Sequence, residues 1–263
     1  MRRGDARRRP EAGAAWTGPA SLAAGLLAAL LLLAAPCRAS HTVRLATLNW
    51  QPYVGTDLPG DGFYAQVVRE ALRRSGYTLE LAFLPWPRGM RRATEGQLDG
   101  IFPAYHTGER EAIFTYSDPL GTGVVGFFAL RGRNIHWRTL RDLTPYSIAV
   151  QRGYANSEAF DAADYLNKEV VSDDQTAMRM LAAGRVDMMI SDERVGQALA
   201  RRLLGPKADE VVFLQPPLEE MPLYVCFSKR AGRAGQLKAA LDAGLASMRA
   251  DGTLARLKAA SGF

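Results

Sequence analysis

The sequence predicts an α/β fold of two similar lobes, each a mostly parallel sheet flanked by helices. Three observations predict it. Between residues 43 and 102, strand-like and helix-like segments alternate in β-α-β-α-β order, the pattern of a parallel sheet covered by helices. After the apolar run at 124–130 the alternation restarts. Finally, EGQLDGIF (95–102) is echoed by AGRVDMMI (183–190). Both place Gly three residues before Asp, between a helix and an apolar strand, and both strands are followed by a hydroxyl residue and then Glu-Arg.

The elements follow in order. Residues 43–48, VRLATL, read as the first strand. A loop at 49–61 carries Trp50, Pro52, Tyr53, Pro59 and Gly60. Residues 62–75 read as a helix with Phe63, Val67, Ala71 and Leu72 on one face, stopped by Gly76. Residues 78–84 alternate Leu79, Leu81 and Phe83, a second strand. Pro85-Trp86-Pro87-Arg88 opens a short helix that Gly96 can close, because glycine tolerates φ > 0. Leu98, Ile101 and Phe102 make a buried strand that Pro103 is expected to end, and Thr107 can cap a helix opened by Gly108, Glu109 and Arg110.

The second half predicts a strand at 124–130, a short helix at 139–143 and a strand at 147–150 ended by Arg152-Gly153. A helix at 157–166 and a strand at 169–171 come next. Asp173 or Asp174 caps the helix that ends at Gly184. After the strand at 188–190, Ser191 or Asp192 caps a helix through Leu203. Strands at 211–214 and 223–228 precede a long helix whose inner stripe is Leu237, Leu241, Leu245 and Met248. Gly252 breaks it, and a short helix closes the chain.

The net charge is +6, but six of the 33 basic residues lie in residues 1–39 against two of the 27 acidic ones. The rest is nearly balanced, so nucleic acid is not implied. The N-terminus reads as a signal peptide over 1–39: a basic start, the apolar run LAAGLLAALLLLAA at 22–35, and cleavage expected after Ala39. Fourteen apolar residues fall short of the roughly 20 a membrane span needs. A lipoprotein reading would use Cys37, but Pro36 before it fits poorly, and Arg2-Arg3 lacks the apolar residue a twin-arginine signal needs next. Cleavage would leave Cys226 alone, in a strand-like run, as a small buried hydrophobe. The expected product is exported to the periplasm.

No Gly-x-Ser-x-Gly, Walker loop, Gly-x-Gly-x-x-Gly or His-Glu-x-x-His is present. His41, His106 and His136 are scattered, so neither a metal site nor a cofactor is expected. Trp50, Tyr53 and Trp86 are aromatics in loops at strand ends, where a flat apolar wall with a polar tip suits a small ligand. Arg88, two residues after Trp86, reads either as a flank of the same pocket or as a solvated helix charge. Arg110 sits in the first turn of a helix, where the dipole favours negative charge. It reads either as a surface residue paired with an acid such as Asp118 or as an anion anchor. If two lobes face each other, Arg110 and Asp192 stand at equivalent strand ends on opposite sides of a cleft.

An ordered set of motifs resembles the periplasmic solute-binding proteins of polar amino-acid ABC importers, family 3. It begins at Leu48-Asn49-Trp50-Gln51-Pro52-Tyr53-Val54-Gly55 and continues through Trp86-Pro87-Arg88, Gly96-Gln97-Leu98-Asp99 and Thr107-Gly108-Glu109-Arg110 to Phe114-Thr115-Tyr116-Ser117-Asp118-Pro119. It resumes at Gly153-Tyr154-Ala155, Ala183-Gly184-Arg185-Val186-Asp187 and Ser191-Asp192-Glu193, and ends at Ala250-Asp251-Gly252-Thr253-Leu254. The resemblance implies a Venus-flytrap fold: lobe 1 from 40–127 plus 226–263, lobe 2 from 128–225, and two crossover strands near 126–130 and 224–228. It implies that Arg110 holds an α-carboxylate, that Asp192 takes an α-ammonium, and that Trp50 and Trp86 sandwich the side chain. Tyr53, Arg88, Tyr105 and Tyr154 complete the expected ligand-binding set.

The chain departs from the pattern at Tyr154-Ala155, where many members carry Ser or Thr, and at Pro103-Ala104-Tyr105, which replaces small hydroxyl residues. The expected protein is a non-catalytic monomer that binds a small zwitterionic or carboxylate ligand by hinge closure and delivers it to a membrane ABC permease. The alternative is an enzyme on the same scaffold, a carboxylic-acid dehydratase, with Asp192 or His106 as general acid or base.

Overall fold

The computed structural model describes residues 41–262. The expected signal peptide, Cys37 and the cleavage site lie outside the described residues. Among the described residues, no helix is long and apolar enough to cross a membrane.

The first repeat runs β1 (His41–Thr47), α1 (Phe63–Arg74), β2 (Tyr77–Phe83), α2 (Trp86–Thr94), β3 (Gly100–Tyr105). A single helical turn, α3 (Gly108–Glu111), and a short strand, β4 (Phe114–Tyr116), lead into the long β5 (Gly121–Leu130). The second repeat runs β6 (Ser147–Gln151), α4 (Glu158–Asp161), β7 (Asn167–Val171), α5 (Asp174–Ala182), β8 (Met188–Asp192), α6 (Glu193–Leu204). The chain ends with β9 (Val211–Phe213), β10 (Glu219–Ser228), α7 (Ala234–Ala250) and α8 (Thr253–Ala260).

The strands join in the order β2-β1-β3-β10-β5-β8-β6-β7, with β4 added to β10 and β9 to β5. β1 pairs in parallel with β2 and β3, and β6 pairs in parallel with β7 and β8. Each repeat thus places its first strand in the middle. β5 and β10 are antiparallel and serve both lobes. Their first halves pair with each other, Gly121–Val125 on Glu219–Leu223. β5 then pairs with β8 from Val125 to Ala129, and β10 pairs with β3 from Leu223 to Phe227. The two strands thus pair with each other about five residues before the segments that the resemblance implies for the crossings. Thr122, Gly123, Glu219, Glu220 and Pro222 break the apolar pattern, yet they are strand because each strand supplies the other's backbone partners.

Two further expectations are corrected. Pro103 does not end β3, which continues to Tyr105. The pairing with β10 slips between Tyr224 and Cys226, opposite Phe102-Pro103, so the proline sits at an irregularity where its missing N–H leaves no ladder bond broken. The predicted helix at 157–166 shrinks to the turn Glu158–Asp161. Ser157 caps it by accepting from Phe160 N, and Lys168 Nζ then donates to the carbonyls of Phe160 (2.6 Å) and Asp161 (3.1 Å), closing the turn where a longer helix would need those acceptors.

Both echoed segments do the same structural work. Gly96 and Gly184 end α2 and α5 with φ of 75° and 65°. Leu98 and Val186 are buried two residues on. Asp99 then accepts from Arg44 N of β1 at 2.7 Å, and Asp187 accepts from Ser147 N of β6 at 2.9 Å. Each carboxylate clips the entry of its third strand to the start of its first. Arg233 clamps Asp99 through Nε and Nη2, and Arg133 lies 3.1 Å from Asp187.

The core of the first lobe is closed by α7, whose Leu237, Leu241, Leu245 and Met248 are at most 1% exposed. Gly244 lets α7 approach α1 closely, since a Cβ there would overlap the Ala71 carbonyl. The second lobe packs Phe128, Met178, Leu181, Val186, Met189 and Leu199 in its own cluster.

Candidate functional site

The loops after β1 and β3 and the start of α2 face the loop after β6 and the start of α6. At the centre is Asp192, the last residue of β8 and the N-cap of α6. Its Oδ1 accepts from the N–H groups of Arg194 (2.9 Å) and Val195 (3.1 Å), as an N-cap should. Its Oδ2 accepts from the hydroxyls of Tyr53 (3.1 Å) and Tyr105 (3.0 Å), both from the first lobe. The carboxylate is buried, which raises its pKa against the lowering effect of these four hydrogen bonds. Burial and then the Asp192 charge push both tyrosine hydroxyls well above their ordinary range, so they stay protonated and donate. Gly123 on β5 makes room for the cluster: a Cβ there would overlap the Tyr105 hydroxyl and the Asp192 carboxylate.

Arg110 does not pair with Asp118, whose carboxylate faces Lys238 and Arg249. It turns across the cleft instead. Nη1 donates to Tyr105 O at 3.0 Å and Nη2 donates to Gly153 O of the second lobe at 2.9 Å. The guanidinium lies 5.6 Å from the Trp86 ring, and Trp86 Nε1 also donates to Gly153 O at 2.9 Å. Thr107 caps α3 by accepting from Arg110 N, but that helix is a single turn, so the charge near it is the guanidinium's own.

The aromatics connect these two centres. Trp50 packs against Tyr53 at 5.0 Å and edge-on to Tyr105 at 6.0 Å, and Trp86 meets Tyr154 edge-on at 5.6 Å. A small cavity is lined by Leu48, Trp50, Trp86, Tyr105, Arg110 and Tyr154. The buried Trp50 Nε1 has no hydrogen-bond partner among the described residues. Two larger cavities flank it. One, of about 1040 Å³, is lined by Arg110 and His106 among others; the second, of about 520 Å³, lies on the side of Asn49 and Asp174. Tyr154 lines all three.

Of the residues singled out from sequence, Trp50, Trp86, Tyr105, Arg110 and Tyr154 line the small cavity. Tyr53 and Asp192 stand behind it, bonded to each other. Arg88 is solvent-exposed and lines none of the three cavities, which fits the solvated helix charge. His106 pairs with Glu111 at 2.7 Å and its ring lies tilted 4.7 Å from that of Tyr116, away from the Asp192 cluster. Among the described residues, no group of His, Cys, Asp and Glu is arranged to hold a metal ion. Cys226 is buried, and burial pushes its thiol up to about 12. Sequence reasoning missed Gln151 and Asp174. The signal for Asp174 was present: two adjacent acids at a helix start where one is enough for the cap, and Asp173 is the one that caps, accepting from Thr176 N at 2.8 Å.

Two repeats facing each other across a cleft, joined by two crossing strands, define a two-lobed periplasmic-binding-protein fold. The model of the bacterial extracellular solute-binding proteins, family 3, matches residues 44–260, and the chain belongs to that family. Solved structures agree on the fold. A histidine kinase sensor domain with similarity to periplasmic binding proteins superposes with a TM-score of 0.75 at 19% identity, covering 84% of this chain and 95% of its own. A mutant of ArgBP from T. maritima gives 0.70 at 18% identity, covering 82% and 93%. The ancestral amino-acid-binding protein AncCDT-1, a precursor of cyclohexadienyl dehydratase, gives 0.66 at 21%, covering 82% and 93%. No curated protein matches significantly.

Proposed function

We propose that this chain is an exported binding protein that captures an amino-acid-like small molecule between its lobes and hands it to a membrane ABC permease. The observation that carries this reading is the arrangement of Arg110 from the first repeat and Asp192 from the second, with Trp50, Trp86 and Tyr105 about the small cavity beside them. In this reading Arg110 exchanges the Gly153 carbonyl for the ligand's carboxylate, which its planar fork meets with two parallel bonds. A ligand ammonium takes the place of a tyrosine hydroxyl at Asp192. The buried Trp50 Nε1 supplies a donor for a ligand oxygen. One anchor per lobe makes the ligand favour the closed state, and β5 and β10 are the strands about which closure turns. Lobe 1 then comprises the first repeat with α7 and α8, and lobe 2 the second repeat.

The test is calorimetric titration of a thermal-shift hit with wild type and Arg110→Ala. The variant is expected to lose about 2–5 kcal/mol of affinity, as truncating a buried charge partner does. Unchanged affinity in a folded variant would remove Arg110 from the role.

A second reading, an enzyme on this scaffold, is favoured by the place of Asp174, which lines the 520 Å³ cavity with the Tyr154 hydroxyl 3.4 Å from its carboxylate. Burial raises the Asp174 carboxyl to about 7, so it can deliver a proton at neutral pH. Turnover of a carboxylic-acid substrate over hours, against stoichiometric binding, separates the two.

A further inference from the structure

The 520 Å³ cavity adjoins the small one, sharing Leu48, Trp86 and Tyr154 with it. Its first-lobe wall, Leu48, Asn49, Gln51, Phe83, Leu84, Pro85 and Trp86, contains no ionisable side chain. The charges all come from the second lobe: Asp173, Asp174 and Arg202. They are not equivalent. Asp173 is spent on its helix cap. Arg202 is exposed on α6. Asp174, the first residue of α5, is part-buried, and among the described residues the one hydrogen bond at its carboxylate is a long 3.4 Å contact from the Tyr154 hydroxyl. Beside it is Gln151, the last residue of β6, which is 9% exposed. Gln151 lines the cavity, and its Oε1 is buried without a hydrogen-bond partner among the described residues. A lined space thus holds an under-used carboxyl and an unused carbonyl oxygen, and both are acceptors. The buried acceptor is costly unless a donor comes to it.

We propose that this cavity is a subsite for the cationic end of the ligand, a guanidinium or protonated amine, with Asp174 as counter-ion and Gln151 Oε1 as a second acceptor. The inference rests on the reading that Arg110 holds the ligand's carboxylate next door. The ligand is then a molecule with a carboxylate at one end and a cation at the other. Pro85-Trp86 provides an apolar wall along which its aliphatic middle lies. Binding also moves a proton. Burial, with the charges of Asp173 and Asp192 adding to it, raises the Asp174 carboxyl to about 7 against the lowering effect of Tyr154. The groups facing it are Tyr154, Asp173, Asp192 and, on α6, Arg202. A bound cation favours the carboxylate, so at pH 7 the complex releases a proton.

The experiment compares arginine with citrulline, its neutral isostere, and with agmatine, which lacks the carboxylate. Titrations use the full chain at pH 7 in two buffers of different ionisation enthalpy. Wild type is expected to prefer arginine over citrulline by about tenfold or more, the size of one charged hydrogen bond, with proton release on arginine alone. Asp174→Asn is expected to abolish the preference and the proton release while citrulline affinity stays the same, and Asp174→Glu to keep the preference. Arg110→Ala is expected to weaken arginine and citrulline alike and to leave agmatine unchanged. If Arg110→Ala weakens both amino acids but arginine and citrulline bind equally in wild type, the cation subsite is overturned and the carboxylate anchor stands. If Arg110→Ala leaves the affinities for arginine and citrulline unchanged while the arginine preference still depends on Asp174, the anchor fails and the subsite stands. Tighter binding of glutamate than of arginine would assign the cavity to Arg202 and overturn the proposal, as would no binding of any of these probes.

Discussion

In the first repeat the junction between second strand and second helix is Pro85-Trp86; in the second it is Asp173-Asp174. After the third strand, the first repeat inserts His106-Thr107 and a single turn carrying Arg110, whereas the second passes straight from Asp192 into a three-turn helix. Between these points the repeats agree: the strand order, the glycine that ends the second helix, the buried apolar residue, and the aspartate that clips third strand to first. The agreeing residues hold backbone to backbone inside a lobe. The differing ones stand at strand ends, facing the other lobe. The first repeat offers an indole and a guanidinium where the second offers three carboxylates, so unlike chemistry meets across the cleft.

Four substitutions break or sharpen this comparison. The largest effect is expected for Asp99→Ala, which strands Arg233 and a backbone N–H at once. It should lower unfolding stability in urea by about 3–4 kcal/mol with affinity per folded molecule unchanged. A loss of ligand affinity at full stability would place Asp99 in recognition and undo the division. Asp187→Ala, the matching clip of the second repeat, should cost less, about 1–2 kcal/mol, because its Arg133 partner is more exposed. A cost equal to that of Asp99 would mean that the arginine adds nothing. Tyr105→Phe removes one interlobe bond to Asp192 and should cost about 1 kcal/mol in stability. It should also tighten binding of amine-bearing ligands, since Asp192 gains a free lone pair; weaker binding would show the hydroxyl to be a ligand contact. The smallest effect, about 0.5–1 kcal/mol, is expected for Trp86→Phe, which keeps an aromatic wall and loses the bond to Gly153. Small-angle scattering should show a more open ensemble for it, and an unchanged radius of gyration would argue against Trp86 as a latch.

The repeat frame was legible in the sequence because it is local. Glycine, apolar residue and aspartate fall within four positions, and the caps at Thr107, Asp173 and Asp192 follow side-chain rules that span three residues. The Arg110–Asp192 opposition was legible through the echo between repeats and through the family resemblance. What failed depended on partners distant in sequence. Asp192 meets Tyr53 and Tyr105 from 139 and 87 residues away, and no spacing rule announces that. Of the two readings open for Arg110, the pairing with nearby Asp118 does not form, because the backbone turns that carboxylate toward α7. Pro103 reads as a strand end because its missing N–H is visible in the sequence, while the irregular pairing on β10 that accommodates it is not. The Asp173-Asp174 doublet read as one cap with two candidates, although a cap needs only one of them.

The route of the chain through the two lobes has a consequence for the order in which they form. The second repeat is continuous from Ser147 to Leu204, so β6, β7 and β8 with their helices are all available once that stretch has been made. The first lobe is not. Its apolar face stays open until α7 arrives with Leu237, Leu241, Leu245 and Met248, more than a hundred residues after β3. Contacts that close such long loops form late. A chain emerging N-terminus first therefore exposes the greasy side of its earliest strands longest, and the last helices act as the stopper that ends its exposure to aggregation and proteolysis.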